Sequence, residues 1–149
     1  MKLGLLLHDP EEEHDCFSDN THASHLNDAI GILQAYTGDY TRVDGTEMTG
    51  ASVSDLVAAK DPALDEELTA KLLATVEAME AMATRAETVE AYDQMIGEGN
   101  DEGNAVVQAA IDGLIDQTPS IERAIAALDL GQIELEGSDS LDAPEAVFQ

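Results

Sequence analysis

The sequence predicts an all-α protein, a helical bundle of three long helices plus a short one. Three observations point there. Aromatic residues make up 3% of the 149 residues and Trp is absent. The core must therefore come from Ala, Leu, Ile, Val and Met, which suits helices better than strands. Two long stretches repeat their apolar residues at spacings of three and four, the pattern of one buried stripe on a helix. Asp-Pro steps and glycine clusters fall where such helices would start and stop. The length suits one domain, residues 1–149, able to bury about two-thirds of its unfolded surface.

The first helix is expected from Pro10 to Tyr36, with Asp9 as cap and Pro10 in the first turn. Glu11, Glu12 and Glu13 would then face the positive end of the helix dipole. Residues 37–53, "TGDYTRVDGTEMTGASV", read as a loop or short hairpin turning at Asp44-Gly45. A short helix follows at Ser54–Ala59. The third helix starts with Asp61 as cap and Pro62 at its first position. It carries Leu64, Leu68, Leu72, Val76, Met79, Met82, Ala86 and Val89 on one stripe, where the methionines serve as adaptable core filler. Gly97, Gly99 and Gly103 mark a break. The fourth helix carries Val107, Ile111, Leu114, Thr118, Ile121, Ile125 and Leu128. Pro119 should kink it, or restart it with Thr118 as cap. Gly131 should end it. The tail, residues 132–149, has no helical period, and its apolar end, Val147 and Phe148, is expected to dock on the bundle.

The charge narrows the partners. Six basic residues against 32 acidic ones give −26. Nucleic acid and anionic membrane surfaces are poor partners for such a chain. The plain reading is a surface adapted to salt or solubility; the sharper one is attraction of metal cations. A single cysteine excludes an internal disulfide and a Cys-only zinc site. "MKLGLLLHD" is too short for a signal peptide, and no stretch approaches the roughly 18 apolar residues of a membrane span. No export signal and no membrane insertion are expected.

All four histidines and the one cysteine fall in "HDPEEEHDCFSDNTHASHLNDAIG", residues 8–31. On one unbroken helix at about 100° per residue, Glu11, His14, Ser18, Thr21, His22 and His25 share an arc of roughly 100°. Cys16, Ala23, Leu26, Ile30 and Leu33 fall on a different, mostly opposite side. Imidazole and carboxylate groups one turn apart can reach a shared ion. Glu11-His14 has the Glu-x-x-His spacing of bundle metal sites. His14 and His22 are about 12 Å apart along the axis, so a second element would have to complete the set. The candidate metal ligands are Glu11, His14 and His22. Against this stands the plainer alternative, a solvated or interface-forming polar face. Cys-His catalysis is disfavoured because Cys16 lies away from the imidazoles, and no Gly-x-Ser-x-Gly elbow supports a serine nucleophile.

"HDPEEEHDCFSDNTH" followed by "NDAIGI" resembles the imelysin-like family, which includes the iron-regulated protein A group and the insulin-cleaving metalloproteinases of peptidase family M75. The likeness continues through "YTGDYTRVDGTEMTGASVSDLV", "DPAL", "YDQMIGEGNDEGNAVVQAAIDGLIDQT", "IERAIAALDLG" and "GSDSLDAPEAVFQ". The resemblance implies a pair of helical bundles, periplasmic or at the cell surface, linked to iron uptake. This chain looks like the C-terminal half alone. The family signature Gly-x-His-x-x-Glu belongs to the first bundle; Leu6 stands where it needs Gly, so it is not carried over to His8 and Glu11.

The resemblance implies a functional site between two bundles, to which this half would contribute a polar face of Ser18, Asp19, Asn20, Thr21 and His25 beside His14 and His22. Iron is the cofactor it implies, with zinc and calcium as other options. The partners it implies are a metal ion, and either the missing N-terminal bundle or a second copy of the chain. A metallopeptidase of M75 type is the alternative function, although no His-Glu-x-x-His occurs. A non-catalytic interaction or dimerisation module is another.

Overall fold

The structure, a computed structural model, describes residues 1–131. The tail expected at 132–149, with Val147 and Phe148, lies outside the described residues. The architecture is an all-α bundle. In order it comprises α1 (Lys2–Leu7), a 3-10 turn (Pro10–Glu12), α2 (Thr21–Thr37), β1 (Asp39–Thr41), β2 (Glu47–Thr49), α3 (Val53–Ala58), α4 (Pro62–Thr88), α5 (Tyr92–Met95) and α6 (Asp101–Ala127).

Helix α4 is the spine. It packs along α6 on one side and α2 on another, while α3 lies on α4 and α2, and α1 and α5 lie on α6. Its start is built as the sequence suggests: the Asp61 side chain accepts from the Leu64 N–H, with Pro62 beside it. Leu64, Leu68, Leu72, Met79 and Met82 are buried on its stripe, but Val89, at the C-cap, is 65% exposed. Ser52 and Asp55 form a reciprocal capping box at the start of α3. The antiparallel β1–β2 hairpin pairs Tyr40 with Met48 and turns at Asp44-Gly45, where the Asp44 carboxylate accepts from the Thr46 N–H and Gly45 takes φ 82°.

The core has two apolar compartments. One gathers Leu5, Met79, Met82, Tyr92, Met95, Ile96, Val107 and Ile111. The other gathers Tyr36, Val57, Leu64, Leu68, Leu72 and Ala124. Between them along α4 and α6 lies a buried polar pair: the Thr75 hydroxyl is 2.9 Å from Gln117 Oε1 and 3.0 Å from the Lys71 carbonyl. Gly113 lets the helices close here, since a Cβ on it would stand 3.1 Å from Thr75 Oγ1. Tyr36 and Ser54 both donate to Asp65 Oδ1 at 2.7 Å, tying α2, α3 and α4 together. Beyond Tyr36 an open apolar groove of about 240 Å³ runs over Leu68 and Leu72, between Ile32 on α2 and Ile121 and Ile125 on α6.

Several expectations are corrected. The first helix begins at Thr21, not Pro10. Asp9 does cap, accepting from the Glu11 N–H at 3.0 Å, but it caps only the short 3-10 turn. The stretch beyond carries Asp15, Ser18, Asp19 and Asn20, whose side chains compete for backbone groups and favour turns. The apolar run before it forms α1, and the glycine-marked break holds the short α5. Gly103 is not part of that break; it lies inside α6 against Met95. Helix α6 runs unbroken through Pro119 instead of restarting at Thr118. The Ile115 carbonyl, deprived of its N–H partner, sits by a side chain 55% exposed, where water can serve it. The helix ends at Ala127, short of Gly131.

Candidate functional site

The histidine-rich stretch folds as a knot of turns laid over the start of α2. Helix α1 stops at His8, which adopts the left-handed conformation (φ 52°) and hydrogen-bonds the Ile96 carbonyl through Nδ1 at 3.0 Å. Asp19 is left-handed as well, with φ 48°. Short polar side chains tolerate this conformation better than bulky ones, which suits the composition of the stretch.

Asp15 organises the knot. Its backbone N–H donates to Thr21 Oγ1 at 2.9 Å. Its Oδ2 accepts the Ser24 hydroxyl and lies 3.3 Å from His14 Nδ1. The Ser24 and His14 hydrogen bonds hold the Asp15 carboxyl below the usual range. The chain thus folds back so that the His14 and His25 rings stand 5.6 Å apart, tilted by 53°. Burial, followed by nearby positive charge, lowers the His25 pKa below 6.5, so it is a neutral imidazole with a lone pair to offer at neutral pH.

Beneath this pair the turn buries Glu13 and Thr21. Burial raises the Glu13 pKa, against a hydrogen bond from the Thr21 hydroxyl that lowers it. Four buried polar atoms in the neighbourhood have no hydrogen-bond partner: Glu13 Oε2, His22 Nδ1, His25 Nε2 and Tyr92 Oη. Such atoms are uncommon in folded proteins and mark places where water, an ion or a ligand belongs.

The single-helix arc read from the sequence does not exist, because residues 13–20 are not helical. Glu11 lies exposed on the 3-10 turn, off the helix that was to align it with His14. His14 projects from the knot beside His25 rather than in a row with Ser18 and His22. His22 and His25 keep their spacing on the first turns of α2, both partly buried. Ser18, Asp19 and Asn20 are exposed, the Ser18 hydroxyl donating to the Asp15 carbonyl at 3.3 Å. Thr21 faces inward. Cys16 is partly buried in the same turns, so its wheel position opposite the imidazoles also lapses.

Asp15, Ser24, Glu13 and Tyr92 are the members that spacing did not reveal. Tyr92 left one sign: an aromatic in a chain this poor in aromatics has to be spent where burial is deepest. Among the described residues, no three His, Cys, Asp or Glu side chains are grouped so as to hold a metal ion. What the knot provides is an imidazole pair with a carboxylate behind it, a partial set that suits a borderline metal once other ligands complete it. No helix among the described residues is long and apolar enough to cross a membrane.

The sequence pattern of the imelysin family, peptidase M75, matches residues 1–121. No curated protein matches the chain.

Proposed function

The chain belongs to the imelysin family, and on that premise we propose that it is a metal-binding protein linked to iron uptake, working in the periplasm or at the cell surface. The observation that carries this reading is the His14–His25 pair at 5.6 Å, backed by Asp15, with His22 Nδ1 and His25 Nε2 buried and unpartnered. A protein interior seldom leaves two imidazole nitrogens without partners, and neutral imidazole is the commonest protein ligand for a transition metal. The exposed residues of the same turn, Ser18, Asp19 and Asn20, would form the rim across which a second bundle or a second copy brings the remaining ligands. The strongly negative surface would raise the local concentration of cations.

The test is calorimetric titration of the metal-free chain with Zn²⁺ and, under anaerobic conditions, Fe²⁺. One saturable site is expected in about 0.15 M salt, where attraction between well-separated surface charges is largely screened. His14→Ala with His25→Ala should abolish it. Undiminished binding in that double variant would overturn the assignment of the ligands.

A further inference from the structure

We propose that the apolar groove between α2 and α6 is a docking site for the chain's own residues 132–136, which lie outside the described residues, and that Ile133 and Leu135 are the side chains that fill it. The inference is independent of the histidine knot and goes beyond the metal-binding reading.

The groove is a gap in the helix packing. Helices α2 and α6 both pack on α4, yet neither packs along the other. Leu68 and Leu72 of α4 line it, with Ile32 on one side and Ile121 and Ile125 on the other. Tyr36 is the one lining residue with a polar atom in its side chain, and it spends its hydroxyl on Asp65. The lining side chains therefore offer an occupant hydrocarbon contact and no free hydrogen-bonding group. Ile32 and Leu130 in this lining stay 44% and 59% exposed, so the groove belongs to a contiguous apolar surface of the kind that marks a docking site.

Position, pattern and charge select the occupant. The chain leaves α6 at the groove itself, since Leu128 and Leu130 both line it. Asp129 and Gly131 take φ 55° and 80°, and the Leu130 N–H bonds back to the Ile125 carbonyl, so the chain is turned here instead of running on along the axis of α6. The residues that follow read Gln132, Ile133, Glu134, Leu135, Glu136. In an extended segment this alternation sets Ile133 and Leu135 on one face and the polar side chains on the other. The reach agrees: at about 3.3 Å per residue, Ile133 and Leu135 can stand about 10 and 17 Å from Leu130. The wall of α6 from Ile121 to Leu128 is about 10 Å long. Two copies, each with a net charge of −26, repel one another, whereas a segment tethered beside the groove is present at an effective concentration on the order of millimolar.

The experiment labels the Ile, Leu and Val methyl groups of the full chain with carbon-13 and records nuclear Overhauser contacts between them. Cross-peaks from Ile133 and Leu135 to Leu68, Leu72 and Ile121 are expected, and they should arise within one molecule when labelled and unlabelled chains are mixed. Ile133→Ser with Leu135→Ser should lower the melting temperature by about 5 °C or more. It should also open the groove to the neutral apolar dye Nile red, which the wild-type chain should not take up, and adding Ile125→Asn should abolish that uptake. Absence of cross-peaks from Ile133 and Leu135 to the groove would overturn the proposal. So would cross-peaks that arise only between copies, which would make a second molecule the occupant, or a copurified aliphatic compound whose protons contact the groove methyls. Equal dye uptake by the wild-type chain and the double variant would overturn it as well.

Discussion

The imidazole rings of His14 and His25 meet at 5.6 Å, although His14 belongs to an irregular turn and His25 to the second turn of α2. The contact exists because Asp15 pins that turn to Thr21 and Ser24 on the helix. Its titration can be read. Burial lowers the folded-state pKa of His25 below its ordinary 6.5. Between those two values the unfolded chain binds the extra proton, so stability rises with pH there and is fully recovered above 6.5. The urea midpoint should fall as pH is lowered from 7 through 6.5 and below. His25→Gln should flatten this part of the profile; an unchanged slope would show that another group governs it.

The polar pair between α4 and α6 should respond asymmetrically to mutation. Thr75→Val leaves the Gln117 amide buried without its partner and should cost about 1–3 kcal/mol. Gln117→Leu should cost less, since the Thr75 hydroxyl keeps the Lys71 carbonyl. The double variant should fall short of the sum, as measured by a denaturation cycle.

Glycines in the long helices should divide by what lies above them. A Cβ on Gly103 would meet the Met95 Cα at 2.7 Å, which is backbone that cannot turn aside. Gly103→Ala should cost about 1–3 kcal/mol through overpacking, outweighing the gain in helix propensity of about 1 kcal/mol. Gly31, within α2, has nothing within 4 Å, so Gly31→Ala should raise the melting temperature. The opposite order of melting temperatures would contradict the α5–α6 packing.

A net charge of −26 should make stability depend on salt. Raising NaCl well above about 0.1 M shortens the screening length below roughly 10 Å and relieves self-repulsion. The thermal midpoint should climb with salt, and Arg123→Ala, which leaves Glu67 with Lys71 as its remaining cationic partner, should climb from a lower start. A salt-independent midpoint would mean that the acids are already neutralised by bound ions.

The helices were legible where one physical signal dominated. Asp61, Pro62 and the run of Leu64, Leu68 and Leu72 agree on cap, first turn and buried stripe, and α4 starts where they say. The boundary of α2 was misread because the Asp9-Pro10 signal is genuine but local; it caps three residues, and the turn-favouring run up to Asn20 then breaks the helix. The candidate site suffered from the same error. His14, His22 and His25 were identifiable as ligand-capable residues, but a helical wheel cannot reveal that Asp15 folds the chain back onto Ser24. Glu13 looked like one of three equivalent glutamates. Its burial depends on the contact of the turn with Thr21 and the neighbourhood of Tyr92, far along the chain, which no local pattern encodes.

The layer formed by Thr75, Gln117 and Gly113 has a consequence for alignment. Two amphipathic helices rich in Ala, Leu and Met could slide past one another by a turn with little loss of apolar contact. Here such a slide would set Thr75 and Gln117 each against hydrocarbon and bring a side chain to the place that only Gly113 leaves open. The layer therefore works as a registration mark, allowing one pairing of α4 with α6 and penalising the neighbouring ones, as a single buried polar residue does in a coiled coil. Because α1 and α5 travel with α6, while α2 and α3 ride on α4, that one mark also fixes how the two groups of short elements are brought alongside each other.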